Sequence, residues 1–219
     1  MKRLIVLLLL LGVAVTIAGA SHHRSQSRNA PGNFDYYLLT LSWAPDYCAM
    51  PNANRNSREC ATGNHVGFVV HGLWPQFNNG GYPKECAPAQ PVASDIVTSM
   101  LAYIPAAGLI QHEWKEHGVC SGLDAAAYFG QVRQAFDSVR IPDRYKTLSH
   151  SIQVTATNVE ANFAAANQAF PAGAFRIGCG GGTRLSDVRI CFTKDLKAEA
   201  CPATERDCGV SGLTMLGER

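Results

Sequence analysis

The most continuous apolar run of the chain, Leu4 to Ile17, is interrupted only by Gly12 and Thr16, and it leads into Ala18-Gly19-Ala20. Lys2 and Arg3 precede it. Positive start, apolar core and small residues together predict a signal peptide over residues 1–20, too short and wrongly flanked for a comfortable transmembrane span. Residues 21–33 are polar and predict a disordered tail. A single folded domain is predicted over 34–219. FDYYLLTLSW (Phe34–Trp43) and VGFVVHGLWP (Val66–Pro75) are aromatic and β-branched runs that predict buried strands, with a polar loop between them. The period then changes. SDIVTSMLAYI (Ser94–Ile104) places apolar residues at helical spacing behind an N-cap serine. A short helix is predicted from about Ile110, stopped at Gly118, and Asp124 caps a third that runs to Val139. Thr157-Asn158-Val159-Glu160 has the spacing of a capping box for a fourth, through Gln168. AFRIGC and LSDVRICF predict closing strands around a glycine-rich turn. Strands at both ends of a helical middle predict an α+β fold, a central, mostly antiparallel sheet packed with several helices.

Composition changes this picture in two ways. All eight cysteines (Cys48, Cys60, Cys86, Cys120, Cys179, Cys191, Cys201, Cys208) lie beyond the leader. An even count in an exported chain implies a disulfide-stabilised domain, and without a C-x-x-C pair the usual signal of a zinc ribbon or thioredoxin-like centre is missing. Removal of Lys2 and Arg3 with the leader leaves 17 of the 19 basic residues against 17 acidic ones. Such a chain does not hold nucleic acid by bulk charge, so a polyanion must be gripped locally, in a cleft. No other segment is apolar enough to span a bilayer. A secreted or periplasmic monomer, free of the membrane after leader cleavage, is expected.

The candidate chemistry sits in HEWKEHGVC, His112 to Cys120. Zinc grips of the H-E-x-x-H type need histidines four apart on one helix face. Here they are five apart, roughly 140° round a helix, and point to different sides. No metal or other cofactor is therefore expected. His112 with Glu116, and Glu113 with His117, do share faces. A glutamate one turn from His117 orients the imidazole and raises its pKa by favouring the charged form. Cleavage of a phosphorus ester needs a second proton-transfer group across a cleft. His71, in VVHGLWP, is the candidate, since a strand of Val and Phe has no packing need for an imidazole. Gly72 beside it permits close approach, and Trp74 offers a stacking face for a base.

FVVHGLWPQ and HEWKEHGVC resemble the two active-site segments of the ribonuclease T2 family of secreted endoribonucleases. YYLLTLSWAPDYC resembles the family's first strand and LSDVRICFTKDL a late one, so the similarity runs from about Asp35 to Cys208. It implies metal-independent cleavage of single-stranded RNA through a 2′,3′-cyclic phosphate. His117 would be the base, His71 the acid, Glu113 an aid at the charged transition state, and His112 a phosphate-binding group. Trp74 and Gln76 would contact a base; Tyr82 is either a base-pocket wall or an exposed turn aromatic. The resemblance also implies bridges Cys48–Cys60 and Cys86–Cys120, with Cys179–Cys208 nested around Cys191–Cys201.

One position departs from the family pattern. The second segment usually reads H-E-x-x-K-H-G, whereas here Glu116 precedes His117 and the lysine stands one residue earlier, at Lys115. Lys115 is the remaining candidate for the phosphate contact, through its long stem. Two rival readings stay open: a metal-dependent hydrolase, and a catalytically weakened RNA-binding or toxin-like secreted protein with Glu116 as the sign of decay.

Overall fold

The structure, a computed structural model, describes residues 27–55 and 57–218. The expected signal peptide, and residues 21–26 of the expected tail, lie outside the described residues. The elements follow in the order β1 (Tyr36–Trp43), α1 (Ala44–Ala49), β2 (Phe68–Gln76), α2 (Ser94–Met100), α3 (Ala107–Glu116), α4 (Ala125–Asp137), β3 (Ile152–Val154), α5 (Ala156–Ala166), β4 (Phe175–Gly180), β5 (Arg184–Phe192) and β6 (Leu213–Met215).

The fold is α+β around one six-stranded sheet of order β2-β1-β5-β6-β3, with β4 pairing β5. Every named pairing is antiparallel except β5 with β6, which meet in parallel at Arg184 and Thr214. The main core packs the helices against the sheet through Leu39, Leu41 and Trp43 of β1, Val70 and Leu73 of β2, and Tyr128, Phe129 and Val132 of α4. Trp43 is buried and donates its indole N–H to the Leu216 carbonyl, so it is a packing residue. Trp114 is equally a packing residue, donating to Gln90 O from a buried position.

Helix starts differ from expectation in detail. Asp124 caps α4, its carboxylate accepting from the Ala127 N–H. Ala93 rather than Ser94 precedes α2, and no side chain caps it. Thr155, not Thr157, caps α5 by accepting from the Asn158 N–H. Two threonines two residues apart both offer a capping hydroxyl, and the earlier one starts the helix two residues sooner.

Residues 27–33, expected to be disordered, are docked on the domain. Gly32 N–H donates to Cys120 O at 2.9 Å, and Arg28 donates to Gly80 O while its guanidinium lies 4.5 Å from the Phe77 ring centre. Polar composition alone does not show such backbone and cation–π contacts. Disulfides join Cys48 to Cys60, Cys86 to Cys120 and Cys191 to Cys201. Cys179 and Cys208, expected as the fourth bridge, are instead free thiols lying side by side; burial first, and the neighbouring Cys208 after it, push the Cys179 thiol up to about 11.

Candidate active site

The site begins with an irregularity in β2. Thr40 of β1 pairs with Gly72, but the next residue, Leu41, pairs with Val70, so His71 is an extra residue with no partner opposite. A bulge of this kind shifts the alternation of side chains by one and re-aims the chain locally. Val70 and Leu73, three apart, both enter the core as a result. His71 and Trp74 are turned toward each other on the other side, their ring centres 5.2 Å apart.

Helix α3 brings the second half. Glu113 is almost wholly buried, and its Oε2 accepts the Trp74 indole N–H at 2.7 Å. Its Oε1 lies 3.7 Å from His71 Nε2 and is otherwise unpartnered. Gly72 makes this possible: a Cβ there would sit inside the Glu113 carboxylate and the Trp74 indole. His117, the last residue of the α3 turn, packs its ring 5.3 Å from Trp74 and 5.4 Å from Tyr82, and its Nδ1 is buried without a partner. Tyr82 is the exposed large aromatic of the surface, 47% accessible. Sequence pattern does not distinguish an exposed turn tyrosine from a pocket wall; the contact with His117 places Tyr82 at the rim.

Burial dominates the electrostatics. It holds the His117 imidazole down at about 4, with positive charge on His112 and His71 acting in the same direction. His71 is also lowered by burial, and the Asp187 carboxylate partly opposes this. Burial pushes the Glu113 carboxyl up to about 8, against the Trp74 hydrogen bond. Near neutral pH the three groups are therefore uncharged, a protonated carboxyl and two neutral imidazoles.

Two expectations are corrected here. Glu113 does not act as the orienting partner that raises His117; it is bound to Trp74 and faces His71, because the Gly72 gap admits it under β2. Lys115 does not enter the cleft. Its ammonium pairs with Glu85 at 3.3 Å, on the side of α3 that carries the Cys86–Ala89 loop. One residue of offset on a helix is about 100°, and the lysine stem follows its own face. Gln76 is buried at the end of β2, two residues beyond Trp74. His112 is exposed and shares with His71 a pocket of about 380 Å³ walled by Ser42, Tyr47, Glu59 and Leu109. Among the described residues no cluster of His, Cys, Asp and Glu is arranged to hold a metal ion.

Comparison with known proteins agrees with this architecture. The model of the ribonuclease T2 family matches residues 34–201, and the chain belongs to that family. A ribonuclease of Aeromonas hydrophila is 37% identical over 123 residues, 56% of this chain and 52% of that protein. A probable ribonuclease of Haemophilus influenzae is 32% identical over 136 residues, 56% of this chain and 48% of that protein. The chain thus spans about half the length of these relatives. The RNase-related protein from Calystegia sepium shares the fold with a TM-score of 0.67 at 22% identity, over 85% of this chain and 98% of that one.

Proposed function

We propose that the chain is a metal-independent endoribonuclease that cleaves single-stranded RNA through a 2′,3′-cyclic phosphate to 3′-phosphate ends. The observation that carries this reading is the convergence of His71, Glu113 and His117 on one cleft from two segments distant in sequence. His117 takes the proton of a ribose 2′-OH, O2′ attacks the adjacent phosphorus, the P–O5′ bond breaks, and His71 delivers a proton to O5′. In hydrolysis of the cyclic ester the roles reverse: His71 takes a proton from water and His117 returns one to O2′. Glu113 keeps its proton up to about pH 8 and so offers an O–H to a phosphate oxygen as charge builds. His112, exposed at the mouth, binds the phosphate. Trp74 meets a base through its ring face only, since its N–H is held by Glu113, and Tyr82 supplies the facing aromatic. DNA lacks the nucleophile. The relatives' ribonuclease names support this reading. The disulfides and the predicted leader support export; among the described residues no helix is long and apolar enough to cross a membrane. We propose that it acts as a secreted or periplasmic monomer.

Single-turnover cleavage of an RNA and its 2′-deoxy analogue in excess chelator tests the reading. RNA is cut, the deoxy analogue is not, and His71→Ala and His117→Ala each slow cutting by roughly 10²–10⁴. Undiminished cleavage by either variant, cutting of the deoxy analogue, or arrest by chelator overturns it. RNA binding without turnover by the unaltered chain selects the weakened-protein reading, which Glu116 on the His112 face favours.

A further inference from the structure

We propose that Ser42 is a positioning residue for His71, its hydroxyl deciding which imidazole nitrogen works on the substrate. The inference rests on the reading of His71 as the proton donor to O5′. Ser42 stands next to the end of β1, half-buried, with Oγ 3.1 Å from His71 Nδ1. The opposite ring nitrogen, Nε2, is the one that faces Glu113 Oε1 in the cleft.

A charged imidazole carries protons on both nitrogens and keeps one when it becomes neutral. With Ser42 Oγ accepting Nδ1–H, the retained proton stays on Nδ1. Nε2 then gives its proton to O5′ as the P–O5′ electron pair leaves with that oxygen. The same Nε2 lone pair is free to accept a proton from water in the second stage. Without the serine, Nδ1–H loses the acceptor in direct contact with it, and the preference for this tautomer and rotation weakens.

The backbone adds to the need for such a device. His71 is the extra residue of the bulge, so the strand ladder does not set its direction as it does for a paired residue. Ser42 is placed regularly instead, paired with Val69 on one side and Asp187 on the other. The charged and titratable groups facing the ring are Glu113 and His112 from α3, Asp187 from β5, and Tyr47 and Glu59 across the pocket, with His117 at the end of α3 acting on it through space. The Asp187 oxygens are taken by the Ser186 hydroxyl at 2.6 Å and Arg189 Nε at 2.7 Å, so its influence on His71 acts through space. Ser42 is the group in direct contact with Nδ1.

The experiment compares Ser42→Ala, Ser42→Thr and His71→Ala on two substrates: a dinucleotide RNA, whose leaving oxygen needs a proton, and a ribonucleoside 3′-(4-nitrophenyl phosphate), whose leaving group does not. Ser42→Ala is expected to lower kcat on RNA roughly 10- to 100-fold with little change in KM, and to leave cleavage of the aryl ester within about threefold. Ser42→Thr, which keeps the hydroxyl, restores most of the RNA rate. Nitrogen NMR of His71 shows Nδ1–H in the neutral ring of the unaltered protein and a mixed tautomer in Ser42→Ala. Equal losses on both substrates, a change confined to KM, or an unaltered tautomer overturns the proposal. If Ser42→Ala is silent while His71→Ala is impaired on RNA, only the serine's role fails. If His71→Ala is also silent, the assignment of the acid fails with it. Thermal melting identifies a variant that has lost its fold, in which case Ser42→Thr and the NMR of the unaltered protein decide.

Discussion

Glu116 stands one turn beyond His112 on the same helix face and adds negative charge beside Glu113. On the proposed reading a phosphate bound near Glu113 would feel this added negative charge, while Lys115 is engaged with Glu85 elsewhere. Glu116→Lys alone is expected to raise kcat/KM on RNA by about tenfold, a barrier change of about 1.4 kcal/mol. Lys115→Ala should leave it within about twofold, the worth of an exposed ion pair. An unchanged rate in Glu116→Lys removes the glutamate from the account. Proton occupancy sets the pH dependence. In the proposed mechanism His117 must be unprotonated to act as base, so the acid limb of kcat/KM is expected to fall near its value of about 4. His71 must hold its proton, so the alkaline limb falls below the ordinary imidazole value of 6.5. A bell-shaped profile peaking between these limits is expected in rate measurements, and a peak at or above neutrality contradicts it. Sequence singled out His71 because an imidazole in a Val-rich strand has no packing need, and His117 because it stands one turn from Glu113 on a helix face. It did not expose the Glu113–Trp74 bond or the Ser42 contact, since neither pair has a characteristic spacing and both depend on how β1, β2 and α3 meet.

Among the elements, β2 shapes its half of the candidate site by its bulge rather than by its hydrophobicity. Gly72 belongs to this element and fills the one place where helix α3 touches it through a carboxylate. Gly72→Ala must displace Glu113 or Trp74. Stability should fall by about 1–3 kcal/mol, and the intrinsic tryptophan fluorescence should change as the indole loses its acceptor. Turnover should fall with it; a variant with full activity shows that the carboxylate can be displaced freely. The long strands β1, β2 and β5 and helix α4 were legible because their apolar periods extend over eight or more residues. The three-residue strands β3 and β6 were not, because so short a run has no period to read. Helix α1 was hidden in what reads as a loop entrance. Pro45 suits the first turn of a helix but signals a break when the chain is scanned for runs.

At the scale of the molecule, Cys86–Cys120 joins the loop after β2 to the end of the α3 segment, and Glu85 N–H donates to Glu116 O beside it. The two halves of the site are thus tied a few residues beyond His117 and Tyr82. Replacing both cysteines by serine should cost about 2–4 kcal/mol in denaturant unfolding and lower kcat more than KM, because the histidines lose their fixed separation. An equal loss in kcat and stability with Cys48 and Cys60 replaced instead would remove any special role for this bridge. Mixed topology was beyond sequence because the parallel contact of β5 with β6 rests on one residue pair.

The docked residues 27–33 bear on how the protein is prepared. Arg28 holds the Gly80 carbonyl and Asn29 accepts from the Lys84 N–H, which brackets the turn that presents Tyr82. Chains trimmed before Ser27 and chains trimmed at Phe34 are therefore different reagents: the second has lost the brace behind its aromatic rim. An affinity tag joined directly ahead of Ser27 emerges beside that rim, and differences in base preference between such preparations would originate in the tag junction rather than in the histidines.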